Sequence, residues 1–264
     1  MSSPTSPTQQ PTPYPPAVTP EPAGPGLSEP QRLINVFFDP KKTFTDIKRN
    51  PSWWVPWLLA SIFALVPGIL VVQKVDLHRF MEQQIERSPA AQRRLENLTP
   101  EQRAKGIDIN VGFIKGTIYA YPVLNLVKGL IIAAILMVVF NFFLAAEVPF
   151  QRAMAVVFYS YIPFIVYSVL LTVSLLVASD PNSIEIGNPM PTNPAFFMDP
   201  TGNRFLYSIA ASLDIFNIWT VVLFGLGFSA ASNNRKPDTG TGITTMFVVY
   251  GVLILCTLGW KAVF

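Results

Sequence analysis

The sequence predicts an all-α polytopic membrane protein, a bundle of five transmembrane helices with N-terminal interfacial helices, on three observations. Half of the 264 residues are hydrophobic and only 13% are charged, with a mean hydropathy of +0.39, a balance foreign to ordinary soluble domains. Five apolar segments, about 54–72, 121–144, 153–178, 205–228 and 243–260, reach the roughly 20 residues that a helix needs to cross a hydrocarbon core. The first fifty residues contain no short apolar run of the signal-peptide kind, so the first hydrophobic stretch is read as a full, uncleaved span.

Residues 1–30 hold ten of the 25 prolines and almost no large apolar side chains. Such a segment cannot bury enough surface to offset its ordering entropy, and it reads as a disordered, partly polyproline II tail; PTPYPP within it has the composition of an SH3-type ligand. Residues 31–52 read as two short amphipathic helices at the membrane interface. Leu33, Ile34, Phe37 and Phe38 recur at helical spacing, and Asp39 before Pro40 restarts the helix as an N-cap and first-turn pair. Phe44 and Ile47 form the apolar side of the second helix, while Lys41, Lys42, Lys48 and Arg49 supply charge for headgroups. Trp53, Trp54 and Trp57 follow as an aromatic belt where the first span, opening the membrane domain of 53–264, enters the bilayer. With Phe37, Phe38, Lys41 and Lys42 they make up the expected anchoring set.

The polar loop of 74–116 carries helix starts at Ser88–Pro89 and Thr99–Pro100, the latter with Gln102 in capping-box register, and Leu77, Phe80, Met81 and Ile85 on one helical face. The loop of 179–204 has five prolines and no sustained periodicity. The connections between the second and third spans and between the fourth and fifth are short, so each pair should form an antiparallel hairpin. With a cytoplasmic N-terminus, eight basic residues near span ends lie inside, including Arg235 and Lys236, and ten lie outside, including Lys261. The raw count is indecisive, and the dense cluster before the first span favours the N-terminus inside.

Catalytic motifs are missing. The single histidine, His78, excludes a multi-histidine metal centre, and there is no HExxH, GxSxG, Walker A loop or GxGxxG. No cofactor is implied. The basic residues form no stripe interleaved with aromatics, which argues against nucleic acid and for lipid headgroups. Cys256, the one cysteine, can form no intrachain disulfide and reads as a packing residue.

What remains is polar material inside the spans. In SLDIFNIWTVVLFGLGFS, residues 212–229, Asp214 and Asn217 share a helical stripe with Tyr207, Ala210, Val221 and Gly225. A charge at the bilayer centre costs about 2.5 to 3.5 kcal/mol and calls for a partner. Lys128 follows Tyr121 by seven residues, as Asp214 follows Tyr207, so both lie roughly 10 Å beyond an interfacial tyrosine on helices of the same direction. Depth therefore predicts a Lys128–Asp214 contact, joined by Asn125, Asn217 and Tyr167. Three readings follow: packing glue that fixes register, a functional polar site, or Lys128 snorkelling to the surface.

LDIFNIWTVVLFGLGFS resembles the acid, aromatic, tryptophan and glycine-pair pattern of the Yip domain family, named for Ypt-interacting proteins. RLINVFFDPKKTFTDIKRNPSWWVPWLLASI and RAMAVVFYSYIPFIV are similar to the start and the tyrosine-then-proline region of that domain, and the resemblance covers about 31–264. It implies five spans, a cytoplasmic N-terminus and no established catalytic activity. Eukaryotic relatives bind Rab-type GTPases and help form vesicles between endoplasmic reticulum and Golgi. The proline-rich tail and charged first loop look more like the bacterial branch, placing the chain in a bacterial cytoplasmic membrane, with Golgi or endoplasmic reticulum as the eukaryotic alternative.

The expected function is a non-enzymatic membrane protein that organises membrane or recruits partners. Its partners are the lipid bilayer, proteins met through the N-terminal segment and, as an option, further copies of the chain. The alternative is a small transporter or channel subunit using Asp214, Asn217 and Lys128, although a five-span chain lacks an even inverted repeat.

Overall fold

A computed structural model describes residues 25–200, 202–234 and 237–263. The proline-rich tail over 1–24, Arg235 and Lys236 of the orientation count, and the side chain of Lys261 lie outside what it describes. Among the described residues there are α-helices and short 3-10 turns but no strand.

The N-terminal helices form where the capping residues direct. α1 (Glu29–Phe38) opens on a capping box in which the Ser28 hydroxyl accepts from the Gln31 amide and the Gln31 side chain accepts from the Ser28 amide. Asp39 closes α1 and caps α2 (Pro40–Asp46) by accepting from the Lys42 amide. Their apolar faces turn inward. Val36, Phe44 and Ile47 are completely buried, α2 against α11 (Ile215–Ala231) and α1 against α8 (Phe150–Ser160). Phe44 seats where Gly227 has no side chain: a Cβ there would lie 2.5 Å from Val156 and 3.1 Å from the Phe44 ring. The hairpin thus closes one end of the bundle, and only its outer face, with Phe38, Lys41 and Lys42, stays exposed.

Four helices, or five if a bent pair is one span, are long and apolar enough to cross a membrane. α3 (Trp54–Lys74), α7 (Tyr121–Leu144) and α12 (Thr239–Val263) are continuous. The third crossing, 150–177, consists of α8 (Phe150–Ser160) and α9 (Pro163–Val177), interrupted at Tyr161 and Ile162, because Pro163 lacks the amide that would carry the helix through. The fourth is the bent pair: α10 (Arg204–Ser212) and α11 (Ile215–Ala231) meet at 55°. Outward apolar side chains such as Phe142 and Phe143, 79% and 71% exposed, give these helices a surface suited to hydrocarbon.

α11 occupies the centre, with Phe216, Thr220, Val221, Leu223, Phe224 and Phe228 buried along one broad face. It packs on α12, α8, α2 and α9. Gly225 lets α12 approach to backbone contact, since a Cβ on it would lie 2.5 Å from the Ile243 Cα. α7 pairs with α8 and α11 with α12, as the short connections require. The two hairpin connections are bonded to each other: Ser232 and Asn233 donate to the Ala146 carbonyl and the Asn233 side chain to that of Glu147. Cys256 is exposed on α12 and does not pack in the core, a position that suits its apolar character only where lipid surrounds it.

Between the first two spans lie α4 (Leu77–Glu86), α5 (Pro89–Leu95) and α6 (Pro100–Tyr119); α5 and α6 begin at the predicted starts, with the Thr99–Gln102 capping box formed. α6 runs about 30 Å at 1.5 Å per residue and leads into α7 with only Ala120 between them. Leu77, Ile107 and Val111 form a small core beneath α4. The proline-rich loop is pinned to this layer, with the Asp76 amide donating to Asn182 and Arg87 paired with Glu185.

Candidate functional site

The intramembrane polar residues separate into two groups. Asp214 is 7% exposed and lies at the break between α10 and α11, where an unbroken fourth helix would have placed it mid-span. One carboxylate oxygen caps α11, accepting from the Phe216 amide at 2.9 Å and the Asn217 amide at 3.2 Å. The other accepts from the Thr192 hydroxyl, and the Thr192 carbonyl accepts from the Ile215 amide at 3.0 Å. The Tyr250 hydroxyl donates to the Ser212 carbonyl at 2.6 Å. A broken helix in an apolar setting must have its freed backbone groups satisfied, and these bonds do so. The proline-rich loop therefore reaches into the bundle through Thr192, a residue that sequence reasoning missed. The available signal was Asp214 standing just before an apolar run, an N-cap pattern.

Lys128 takes a different place. Its ammonium lies 5.0 Å from the centroid of the Tyr161 ring, and among the described residues no ion pair joins it to a carboxylate. Asp214, expected from its spacing to meet Lys128, is instead engaged with Thr192 and the α11 amides. A ring face contributes about 0.5–2 kcal/mol to a cation, less than the roughly 2.5–3.5 kcal/mol a lysine costs at the centre of a span.

Lys128 separates two cavities. One, of about 350 Å³, is lined by Tyr121, Asn125, Tyr161, Tyr167 and Ser168 among others. The other, of about 340 Å³, lies towards α12 and is lined by Asn217, Tyr250 and mainly aliphatic side chains. Lys128, Tyr161 and Phe164 form walls of both. Asn125 is buried and donates to the Ser61 hydroxyl at 3.3 Å, tying α7 to α3. The structure thus gathers Lys128, Asn125 and Tyr167 around one cavity and Lys128 and Asn217 around the next, while Asp214 belongs to the helix break.

The anchoring set also divides. Trp54 is 57% and Phe38 84% exposed, whereas Trp53 stacks on Phe158 at 5.8 Å between centroids and Phe37 meets the edge of Trp219 at 5.4 Å. The Trp57 indole donates to the Pro122 carbonyl at 3.1 Å, locking α3 to the start of α7.

The strongest electrostatic centre lies in the N-terminal hairpin. Arg32, 2% exposed, donates to Asp46 from Nε at 2.8 Å, with Nη2 2.7 Å from the same oxygen. Its Nη1 donates to the Asn50 carbonyl at 2.9 Å and faces Glu29 at 3.4 Å. Glu29 in turn accepts from the Tyr159 hydroxyl of α8. Burial opposes the guanidinium charge, but the hydrogen bonds to Asp46 and Tyr159 and the charge of Asp46 outweigh it and raise the Arg32 pKa above its ordinary value. Sequence reasoning took this segment as interfacial helices that anchor the chain and meet partners, not as a docked part of the bundle. The signal was an arginine one helical turn before Val36, and an acid three residues after Thr43, on the faces that turn inward.

Among the described residues no group of three or more His, Cys, Asp or Glu side chains could hold a metal ion. His78 faces Asp108 at 2.9 Å on an exposed surface.

The family model for the Yip1 domain matches residues 34–260. The chain belongs to the Yip1 domain family. The matched region begins within α1 and ends within α12, so most of the docked hairpin is part of the Yip1 domain. Members of this family are integral membrane proteins and are not known enzymes. Comparison with curated proteins and with solved structures finds no match.

Proposed function

We propose that this Yip1-domain protein is a non-enzymatic membrane organiser of the bacterial type, which recruits protein partners through an N-terminal segment held on the cytoplasmic face. The supporting observation is the docking of α1 and α2. Three completely buried apolar side chains and the Arg32–Asp46–Glu29–Tyr159 network fix the hairpin to α8 and α11, so whatever precedes residue 25 emerges from a fixed point. A rigid platform lowers the ordering cost of binding a partner.

Photo-crosslinkers placed at the exposed Phe38 and Lys42 test the proposal in native membranes. Wild-type protein should give a discrete crosslinked partner that is lost when Asp46→Ala releases the hairpin. An identical crosslinking pattern in both would refute recruitment by a docked platform. The transport alternative has its own assay: Asp214→Asn would abolish a flux in reconstituted vesicles, whereas the organiser reading expects no flux that this change alters.

A further inference from the structure

Lys128 is a cation without a described counter-charge on a membrane-crossing helix. It is exposed on the protein surface, and Val123, Val127 and Ile131 on neighbouring turns of α7 are 63%, 46% and 55% exposed. The surroundings of this part of α7 are therefore lipid. An anion supplied from lipid belongs to a headgroup, and lysine stems carry their charge towards headgroup level. The two cavities flanking Lys128 are both largely apolar, and the first adds hydroxyl-bearing side chains to its wall. The first offers Tyr121, Tyr167 and Ser168 as hydroxyl-bearing walls. The second is walled by Ile132, Ile135, Val221, Phe224, Val249 and Leu253, a slot for hydrocarbon.

We propose that Lys128 binds the phosphate of an anionic phospholipid, with tyrosine hydroxyls of the first cavity as neutral donors and an acyl chain lying in the slot between α7, α11 and α12. The lysine supplies charge, the ring of Tyr161 holds the ammonium in place, and the slot selects an acylated ligand over a soluble one. This site is independent of the N-terminal hairpin, so it stands or falls apart from the recruitment proposal.

The test uses the full chain, stripped of lipid in neutral detergent and titrated with phosphatidylglycerol, phosphatidylcholine and inorganic phosphate, with bound species counted by native mass spectrometry. Wild-type protein should bind phosphatidylglycerol at least about tenfold more tightly than phosphatidylcholine, the factor that one charge-assisted contact provides. Lys128→Gln should bring that preference to within about twofold and Lys128→Arg should keep it. Inorganic phosphate in large excess should not displace the lipid. An unchanged preference in Lys128→Gln overturns the proposal, and so does displacement by inorganic phosphate, which would mark a site for a soluble anion. A second measurement needs no variant: phosphatidylglycerol with a photoreactive group near its phosphate should label the segment 121–128 of the wild-type chain, and labelling confined to other helices overturns the assignment.

Discussion

Replacing Asp214 by alanine removes three acceptor roles at once. The Phe216 and Asn217 amides lose their cap, a change worth about 1 kcal/mol and at most about 2. The Thr192 hydroxyl, in a residue 8% exposed, loses its acceptor, which costs about 1–3 kcal/mol for a buried polar group. Together Asp214→Ala should destabilise the protein by roughly 2–4 kcal/mol, whereas Asp214→Asn, whose oxygen still caps α11 and whose amide nitrogen donates to the Thr192 hydroxyl in a reversed bond, should cost less, about 1 kcal/mol. Equilibrium unfolding in mixed micelles titrated with a denaturing detergent measures both. If Asp214→Ala unfolds within about 0.5 kcal/mol of wild type, the residue does not pin the helix break. The same geometry predicts that Asp214→Lys combined with Lys128→Asp rescues neither single change, because the two side chains hold separate positions; mutual rescue would restore the depth-matched pair.

Two further predictions concern packing and pH. Gly225→Ala places a methyl 2.5 Å from the Ile243 Cα and 2.7 Å from its amide nitrogen, and since backbone cannot step aside locally, the cost should be about 1–3 kcal/mol. Gly112→Ala, with nothing within 4 Å of the added carbon, should instead stabilise α6 by about 0.5–1 kcal/mol, and thermal unfolding of the two variants should shift in opposite directions. Burial, and after it the like charge of Arg152, hold the Lys48 ammonium below its ordinary value of 10.5. The undocked segment then binds the extra proton between that lowered value and 10.5, so hairpin docking should strengthen as pH rises through this window and the slope should vanish in Lys48→Gln. Protease protection of the segment followed against pH reads this out.

The helices were legible wherever a local rule placed them. Ser88–Pro89, Asp39–Pro40 and the Thr99–Gln102 box each start a helix in the structure, because capping is decided within four residues of chain. Apolar runs of span length gave the crossings for the same local reason. What surrounds a face is a tertiary matter, and there the sequence was ambiguous: Phe44 and Ile47 would serve equally on lipid headgroups or in a core, and only the space at Gly227 on a distant helix decides for the core. Asp214 carried two local meanings, a charge inside an apolar run and an N-cap before one. The cap prevailed because Thr192, from a loop without periodicity, supplies the partner. For Lys128 the spacing gave an expected depth, but depth along one helix does not fix rotation, and its neighbour is Tyr161 from the third crossing.

The central claim is that the N-terminal helices are an integral, docked part of the Yip1 domain and carry the recruiting segment at a fixed position. Hydrogen exchange of the amides of residues 29–50, measured on the full chain in lipid nanodiscs, tests it most directly. Removing one partner of a buried ion pair costs about 3–5 kcal/mol, and each 1.4 kcal/mol is a factor of ten. Wild-type amides should therefore be strongly protected, and Asp46→Ala, which strands the buried Arg32, should speed their exchange by roughly two to three and a half decades while α7 and α12 stay protected. Fast exchange of α1 and α2 in the wild-type chain, unchanged by Asp46→Ala, would contradict the account.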